Sequence, residues 1–360
     1  MTPVRIGVIG CGAISGAYLG MAAKFPAVQV VGCADLDLDR ARAKAAEYHI
    51  PKACSVDELL ADPAIEIVLN LTIPKAHAPV ALAALRAGKH TYCEKPLGIT
   101  RDEGRQVIDL ARSKSLLVGC APDTFMGAGI QTAKHLIESG AIGRPVAFTA
   151  FMMGRGHESW HPSPEFYYQP GGGPMFDMGP YYLTALLQLL GPVRLLTGAA
   201  TIAIPDRTIT SKPKAGQKIT VETPDHVCGT IEFASGCTGV IIQSFATFAP
   251  QYDAKHPITI YGTEGTLKVP DPNQFDGPVH VRRLDEKELS EVPPTSPTGF
   301  GRSVGLAEMA IALRTNRPFR ATGAQGLYVL DLMASFFDSA TTGRAYEPVA
   351  PWSEPPAPLV

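Results

Sequence analysis

The chain has 360 residues, of which 45% are hydrophobic and 18% are charged. That is enough apolar surface for two domains of ordinary size, which excludes a disulfide-rich mini-domain and a disordered protein. Lys and Arg (32) nearly balance Asp and Glu (34), and the formal charge of −2 provides no overall field that would attract nucleic acid or a membrane surface. The 35 Gly and 32 Pro favour a loop-rich enzyme over a helical bundle.

The cysteine pattern and the hydropathy bear on the compartment. The seven cysteines are an odd number and form no C-x-x-C pair, so we expect reduced thiols and no bound metal. No secretory signal pattern precedes the apolar run at residues 6–9, and no window reaches the roughly 18 apolar residues of a membrane span. These features predict a cytoplasmic protein.

The first 120 residues alternate between strand-like and helix-like segments. Runs rich in β-branched residues predict strands over 4–9, 28–34, 65–71, 90–93 and 116–120. Helical spacing predicts helices over 15–24, 39–48, 56–61, 76–87 and 101–114. Because strands that alternate with helices form right-handed crossovers, residues 1–122 are predicted to fold as an α/β Rossmann domain with a doubly wound parallel sheet.

The alternation of predicted strands and helices ends after residue 122. Strands are predicted over 146–152, 194–204, 227–233, 238–244, 258–261 and 266–269, and helices over 130–138, 180–190, 306–313 and 324–339. Since most of these strands follow one another without intervening helices, residues 123–350 are predicted to form an α+β domain with a large, mostly antiparallel open sheet. A proline-rich tail is expected at 351–360.

A glycine-rich turn follows the first predicted strand. Its sequence is Gly10-Cys11-Gly12-Ala13-Ile14-Ser15-Gly16. Glycines let the backbone turn tightly and approach a pyrophosphate, which then sits at the amides of a helix N-terminus. Ser15 occupies the slot of the third glycine, a mild departure because a small residue suffices for packing. The alternative is an ordinary glycine turn between a strand and a helix.

Asp35 ends the second predicted strand, 23 positions after Gly12. That spacing is close to the value of about 20 expected for the carboxylate that binds the ribose hydroxyls of NAD. Because a carboxylate repels a 2′-phosphate, NAD is favoured over NADP. Arg40 is a candidate to cover the adenine. The alternatives are that Asp35 begins a turn and that Arg40 is an ordinary exposed helix residue.

A third motif, Cys93-Glu94-Lys95-Pro96-Leu97, closes a later strand and is expected at the carboxyl edge of the sheet, where ligands bind. Together with the glycine turn, Asp35, Asn70-Leu71-Thr72-Ile73-Pro74, His77 and the glycine-rich segment at 171–179, it makes the chain similar to the Gfo/Idh/MocA family. That family is named for glucose-fructose oxidoreductase and inositol dehydrogenase. The likeness covers nearly the whole chain.

The resemblance implies an NAD(P)-dependent oxidoreductase that acts on a sugar, sugar acid or cyclitol and assembles through its open sheet as a homodimer or homotetramer. By the family pattern, Lys95 contacts the reacting hydroxyl, and Asp177 contacts substrate or orients its catalytic neighbour. The residues expected to line the cofactor and nicotinamide side are Asn70, Leu71, Thr72, Pro74, His77 and Glu94. For His77 the alternative is a surface position at a helix start, and for Asn70 a turn at a strand end.

The catalytic position four residues after Asp177 departs from the family pattern. Many relatives have a His there, whereas this chain has Tyr181. Relatives that resemble dihydrodiol dehydrogenases use Tyr in this way. Because Tyr titrates near pH 10, it needs a neighbouring cation to act as a base, and Lys95 can supply one. The alternative is that Tyr181 only packs or binds substrate.

The segment at 156–162 offers other candidates. His157, Trp160 and His161 are expected to contact substrate. His161 or His157 can act as the base, and Trp160 can stack on an apolar sugar face. Metal binding by the two histidines is disfavoured because a loop lacks the helical face that aligns such ligands. Asp123 and Thr124 are expected to reach substrate or, alternatively, to cap a helix.

Two alternative functions stay open at this point. The first keeps the same site but recycles the NAD, as in oxidoisomerisation or redox-assisted elimination. The second is an NAD-dependent regulator without turnover, which the retention of Lys95 and Asp177 argues against. The leading expectation is reversible hydride transfer between a secondary alcohol and NAD.

Overall fold

The computed structural model describes residues 1–358 and divides them into two units. The first comprises residues 1–123, 300–330 and the described part of the tail, and the second comprises 124–299 and 331–350. The return of residues 300–330 to the first unit is not predicted by the sequence analysis, which places a single boundary at 122/123. The last two residues of the predicted tail at 351–360 lie outside the described residues.

The first unit is built on a six-stranded parallel sheet. Its strands are β1 (Val4–Ile9), β2 (Val28–Ala34), β3 (Ala53–Cys54), β4 (Ile67–Asn70), β5 (His90–Cys93) and β6 (Val118–Cys120). They lie in the order β3-β2-β1-β4-β5-β6, and every pairing is parallel. This is the Rossmann order. All four residues of β4 are buried, as expected for a strand that is covered on both faces.

Five helices connect these strands: α1 (Ser15–Ala22), α2 (Leu38–Glu47), α3 (Val56–Ala61), α4 (Pro74–Arg86) and α5 (Arg101–Ser113). Local sequence signals start several of them. Asp37 and Thr100 cap α2 and α5, and Ser55 forms a capping box with Glu58 at α3. Helix α4 begins two residues earlier than predicted because Pro74 fits the first helical turn.

The second unit contains an eight-stranded sheet, and its first α-helix is α6 (Ala128–Glu138). Its strands are β7 (Pro145–Met153), β8 (Val193–Thr201), β11 (His226–Phe233), β12 (Thr238–Ser244), β13 (Ile258–Gly262), β14 (Gly265–Val269), β15 (Val279–Arg283) and β16 (Ser290–Val292). They lie in the order β16-β15-β14-β13-β7-β12-β11-β8, and only the β12–β7 pairing is parallel. Both predictions of fold class, an α/β Rossmann domain and a mostly antiparallel sheet, are confirmed.

Four strands and one helix in this half are absent from the sequence prediction. The short strands β9 (Asp206–Thr208) and β10 (Lys218–Thr220) pair as a separate hairpin, and β15 and β16 extend the large sheet. The helical segment is divided at Met178 into α7 (Gly173–Asp177) and α8 (Gly179–Leu190). Asp177 is therefore the last residue of a short helix, and Tyr181 lies in the first turn of the next one.

The chain ends with α9 (Val304–Thr315) and α10 (Gly323–Thr342). Helix α9 belongs to the first unit, and α10 contributes residues to both units. Within residues 1–358, no helix is both long enough and apolar enough to span a bilayer.

Candidate active site

The glycine turn of the first unit has the backbone geometry that a phosphate-binding loop requires. Gly10 has φ +99°, and a Cβ there would lie 2.6 Å from the backbone of Leu71, so only glycine fits. At Gly12, in contrast, a Cβ would meet nothing within 4 Å. No side chain caps the N-terminus of α1. The turn therefore has room for a ligand group beside a helix N-terminus.

Asp35 lies at the end of β2 and is tied to the same turn. Its Oδ2 accepts a hydrogen bond from the amide of Cys11 (2.8 Å), and its Oδ1 accepts one from the amide of Asp37 (3.0 Å). The guanidinium of Arg40 lies 3.6 Å from Oδ1 but is half exposed. Leu36, next to Asp35, is fully exposed. The open Gly12 turn and this anchored carboxylate fit the pyrophosphate and ribose of NAD.

Asn70 and His77 hold the backbone near the carboxyl edge of the sheet. Asn70 is buried; its Nδ2 donates to the carbonyl of His77 (2.9 Å), and its Oδ1 accepts from the hydroxyl of Thr72 (2.7 Å). The His77 ring contacts two carbonyl oxygens, Pro96 O at 2.7 Å and Thr72 O at 2.9 Å. His77 is also buried, so the surface alternative is wrong. Its cofactor contact stays a prediction. The contact with the Pro96 carbonyl shows that His77 holds the loop after Lys95.

Glu94 is a buried carboxylate adjacent to Lys95. It accepts hydrogen bonds from the Tyr18 hydroxyl (2.7 Å) and from the Lys95 amide (2.8 Å). Arg302 lies 3.9 Å away. Burial acts to raise the pKa of Glu94, but Arg302, Lys95 and the Tyr18 hydroxyl outweigh it and hold the pKa below its usual value. Glu94 is therefore an ionised group that fixes the backbone of Lys95.

Asp123 caps a helix of the first unit. Its Oδ2 accepts hydrogen bonds from the amides of Ser303 (3.1 Å) and Gly305 (3.0 Å), at the start of α9. Its Oδ1 and the Tyr92 hydroxyl are buried without a hydrogen-bond partner among residues 1–358. Burial raises the pKa of Asp123 to about 6. The side chain is completely buried, so the capping alternative describes it, and its substrate contact stays a prediction.

Replacing Asp123 with Asn is expected to stabilise the protein above neutral pH. A carboxyl whose pKa is raised on folding destabilises the folded state when ionised; this penalty is complete above the folded pKa and disappears as the pH falls below the unfolded value. Asn can keep the two amide contacts and offer Nδ2 to Tyr92, which adjoins the same Gly305. We expect a gain of about 1–3 kcal/mol at about pH 8 that disappears near about pH 4. Urea unfolding at both pH values tests this, and a less stable variant at the higher pH contradicts it.

In the second unit, Asp177 lies next to His157. The carboxylate Oδ2 is 3.3 Å from His157 Nε2, and both side chains are largely buried. The His157 ring stacks on Tyr167 (centroids 3.7 Å apart, 9° between planes) and meets the edge of Phe245 at 4.5 Å. Tyr181 is buried in α8. This pairing of Asp177 with a loop histidine is not predicted by the sequence analysis.

A buried arginine holds the loop that contains His157. Arg207, on β9, donates to Glu158 Oε1 (2.7 Å), Asp225 Oδ2 (2.7 Å) and the carbonyl of Arg155 (2.7 Å). The Tyr168 hydroxyl donates to Glu158 and accepts the His157 amide at 3.0 Å. The side chain of Arg207 is only 1% exposed. No local sequence pattern predicts this network because its members lie on separate elements.

His161 and Trp160, the other two candidates of this loop, lie next to each other. The Nδ1 of His161 accepts the Ser163 amide at 3.1 Å, which leaves the proton of the neutral ring on Nε2. Burial and His157 lower the pKa of His161. Trp160 is 62% exposed, and its ring lies 5.4 Å from the His161 ring.

Thr124 is buried in a 3-10 turn at the start of the second unit. Among residues 1–358, no three His, Cys, Asp or Glu side chains are grouped to hold a metal.

Two family models match the chain. One, described as "Oxidoreductase family, NAD-binding Rossmann fold", matches residues 4–121, and the other, "GFO/IDH/MocA C-terminal domain", matches residues 130–268. The chain belongs to the Gfo/Idh/MocA family of oxidoreductases. The predicted resemblance, the oxidoreductase class and the NAD cofactor are thereby confirmed.

Similar proteins support the same family and fold. A 1,5-anhydro-D-fructose reductase from Ensifer adhaerens is 29% identical over 349 residues, which cover 95% of this chain and 98% of the relative. A mouse trans-1,2-dihydrobenzene-1,2-diol dehydrogenase is 31% identical over 192 residues, 52% of this chain and 56% of the relative. A levoglucosan dehydrogenase structure, in complex with NADH and L-sorbose, has a TM-score of 0.81 at 23% identity and covers 98% of this chain and 100% of that chain. That structure is similar in fold.

For this Gfo/Idh/MocA chain, the structure adds Tyr18 and Arg302 to the candidate residues of the first unit and Arg207 to those of the second. Tyr18 and Arg302 face Glu94 in the first unit, and Arg207 fixes the loop of His157 in the second. In the sequence, Arg302 is separated from Glu94 by 207 residues and has no motif around it. No local signal identifies such contacts.

Proposed function

We propose that this protein is an NAD-dependent dehydrogenase that transfers hydride between NAD and a secondary alcohol of a sugar, sugar acid or cyclitol. The observation that carries the proposal is the Asp177 carboxylate, 3.3 Å from His157 and near a loop that exposes Trp160. Relatives named for 1,5-anhydro-D-fructose and levoglucosan support a carbohydrate-like substrate.

The first unit would hold the cofactor. The Gly12 turn and the N-terminus of α1 would take the pyrophosphate, and Asp35 would accept the ribose hydroxyls, with Arg40 and the exposed Leu36 near the adenine. NAD, when bound, supplies the acceptor for the hydride that leaves the alcohol carbon. A 2′-phosphate would face the carboxylate of Asp35, which favours NAD over NADP.

The chain's own residues would manage the hydroxyl and its proton. Oxidation of the alcohol to a ketone breaks the O–H and C–H bonds, and the proton on oxygen needs a base. We assign this proton to the phenolate of Tyr181 and the contact with the reacting hydroxyl to the Lys95 ammonium. Asp177 would accept a hydrogen bond from the substrate, and Trp160 would stack on an apolar sugar face. The reverse reaction returns the proton from Tyr181 to the carbonyl oxygen.

The large sheet supports a proposal about assembly. Its outward positions include the apolar side chains of Val146, Val240 and Tyr261, all exposed in the single chain. A sheet face of this kind is suited to pack against a second copy. We propose a homodimer or homotetramer, which sedimentation equilibrium would distinguish from a monomer.

A substrate screen tests the function. Sugars, sugar acids and inositols are incubated with NAD or NADP, and cofactor reduction and product are followed separately. We expect NADH to form with at least one polyol, and NAD to be preferred over NADP by roughly tenfold or more, because about 1.4 kcal/mol of repulsion at Asp35 suffices. Product without NADH would identify a recycled cofactor.

The control for this screen is Lys95→Met, which removes the ammonium while keeping a long side chain. It should form no NADH with a substrate that the parent oxidises. Equal rates for the parent and the variant, or no product with any substrate, would contradict the dehydrogenase proposal.

A further inference from the structure

The contact between His157 and Asp177 indicates a role for His157 other than the substrate contact that the sequence predicts. Two ring contacts and one backbone hydrogen bond hold the residue. Tyr167 stacks on one face at 3.7 Å, Phe245 presents its edge at 4.5 Å, and the backbone amide donates to Tyr168 at 3.0 Å. Arg207 in turn holds the neighbouring Glu158. A ring that is packed in this way has little freedom to follow a substrate.

The same packing defines which ring nitrogen has the proton. Nδ1 of His157 is buried and has no hydrogen-bond partner among residues 1–358. A proton on Nδ1 would be a buried donor without an acceptor, which costs roughly 1–3 kcal/mol. With the proton on Nε2, the ring donates to the Asp177 carboxylate at 3.3 Å, and Nδ1 needs no acceptor. The neutral Nε2–H tautomer therefore satisfies both groups.

This geometry also excludes His157 from the role of general base. Its Nε2 is engaged with Asp177, and its Nδ1 is covered by protein. A base must present a lone pair to the proton that it removes, and His157 has neither nitrogen available for that purpose.

We propose that His157 is a positioning residue, whose Nε2–H orients the carboxylate of Asp177 for the substrate. The proposal rests on the proposed function, in which Asp177 contacts the substrate. The orientation of a catalytic carboxylate affects the rate through alignment, so its loss lowers kcat more than it weakens substrate binding. A substrate contact at His157, as the sequence predicts, would instead raise KM.

Two substitutions separate the hydrogen bond from the packing. His157→Phe keeps an aromatic ring between Tyr167 and Phe245 but has no donor. His157→Gln places its side-chain amide donor, Nε2–H, near the position of the imidazole Nε2 but loses the stacked ring. We expect kcat to fall roughly 10- to 100-fold in His157→Phe with KM changed less than about threefold, and His157→Gln to recover most of kcat. His256→Gln, in a second His–Asp pair of the same unit (3.2 Å from Asp253), is the control and should not change kcat.

Each kinetic outcome bears on the proposal. It is overturned if His157→Phe retains kcat, if only KM rises, or if His157→Gln is as slow as His157→Phe while both melt like the parent. If the parent itself shows no turnover, the proposed function fails separately, and a second measurement decides the positioning claim.

That measurement is ¹⁵N NMR of the histidine rings, with His157→Gln used to assign the His157 signals. We expect the Nε2–H tautomer and a change of the Nε2 signal in Asp177→Asn, with no change at His256. An Nδ1–H tautomer, or a His157 ring that does not respond to Asp177→Asn, would refute the proposal without reference to activity.

Discussion

Replacing Tyr181 with Phe is expected to lower kcat roughly 10³-fold, because the positioned base of such a reaction contributes about 10²–10⁴-fold. The two histidines of the loop are poor substitutes. His161 has its Nδ1 engaged by the Ser163 amide, and His157 has its Nε2 on Asp177. Tyr181 is the remaining member of the three bases that the sequence proposes. The variant should melt like the parent, and kcat is measured with saturating NAD and substrate.

Two further variants control this prediction. Tyr182→Phe removes the neighbouring hydroxyl, which lies 3.4 Å from that of Tyr252, and should keep kcat within about threefold. His161→Asn should cost far less than Tyr181→Phe. If Tyr181→Phe retains more than about a tenth of kcat while His161→Asn abolishes turnover, the base is His161 and the assignment of Tyr181 fails.

The first unit could be predicted closely because its signals are local. Residues 4–9, 28–34 and 90–93 are short β-branched runs, and the structure has strands at the same bounds. The two-residue strand Ala53–Cys54 was missed because it has no run of its own and forms only by pairing with β2. Residues 300–330 join this unit through contacts such as Asp123 with Ser303, and no local pattern encodes a contact across 180 positions.

The second unit could be predicted less well because its missing strands are short and polar. Segments such as Asp206–Thr208 and Ser290–Val292 lack the apolar alternation that marks a strand. The motif around Asp177 could be found from its glycines, but its partner could not. His157 is 20 residues earlier in a loop, and its path to Asp177 depends on Arg207, which the sequence presents as one more charged residue. Motifs identify the reacting groups, whereas tertiary contacts determine how they are held.

Substitution of Arg207 by Met is expected to destabilise the second unit by about 3–5 kcal/mol, because it leaves the carboxylates of Glu158 and Asp225 without their buried counter-charge. Asp225 is completely buried, and Glu158 is largely so. The methionine fills much of the arginine's volume, so the loss reports the charge rather than a cavity. The consequence should appear first in the loop at 155–161, which Arg207 binds through Arg155 and Glu158.

The chain has only two tryptophans, Trp160 in this loop and Trp352. Unfolding of the loop can therefore be followed by tryptophan fluorescence. In a Trp352→Phe background, Trp160 is the sole tryptophan, and its fluorescence during urea unfolding reports the loop directly. Arg194→Met is the matched control: Arg194 also pairs with a carboxylate, Glu232, but its side chain is half exposed, and solvent screening leaves such a pair with little effect on the unfolding midpoint. Adding Glu158→Gln and Asp225→Asn to Arg207→Met should restore part of the lost stability, because no uncompensated charge is then buried. Equal midpoints for Arg207→Met and the parent would show that the loop, and with it His157 and Asp177, is held by other contacts.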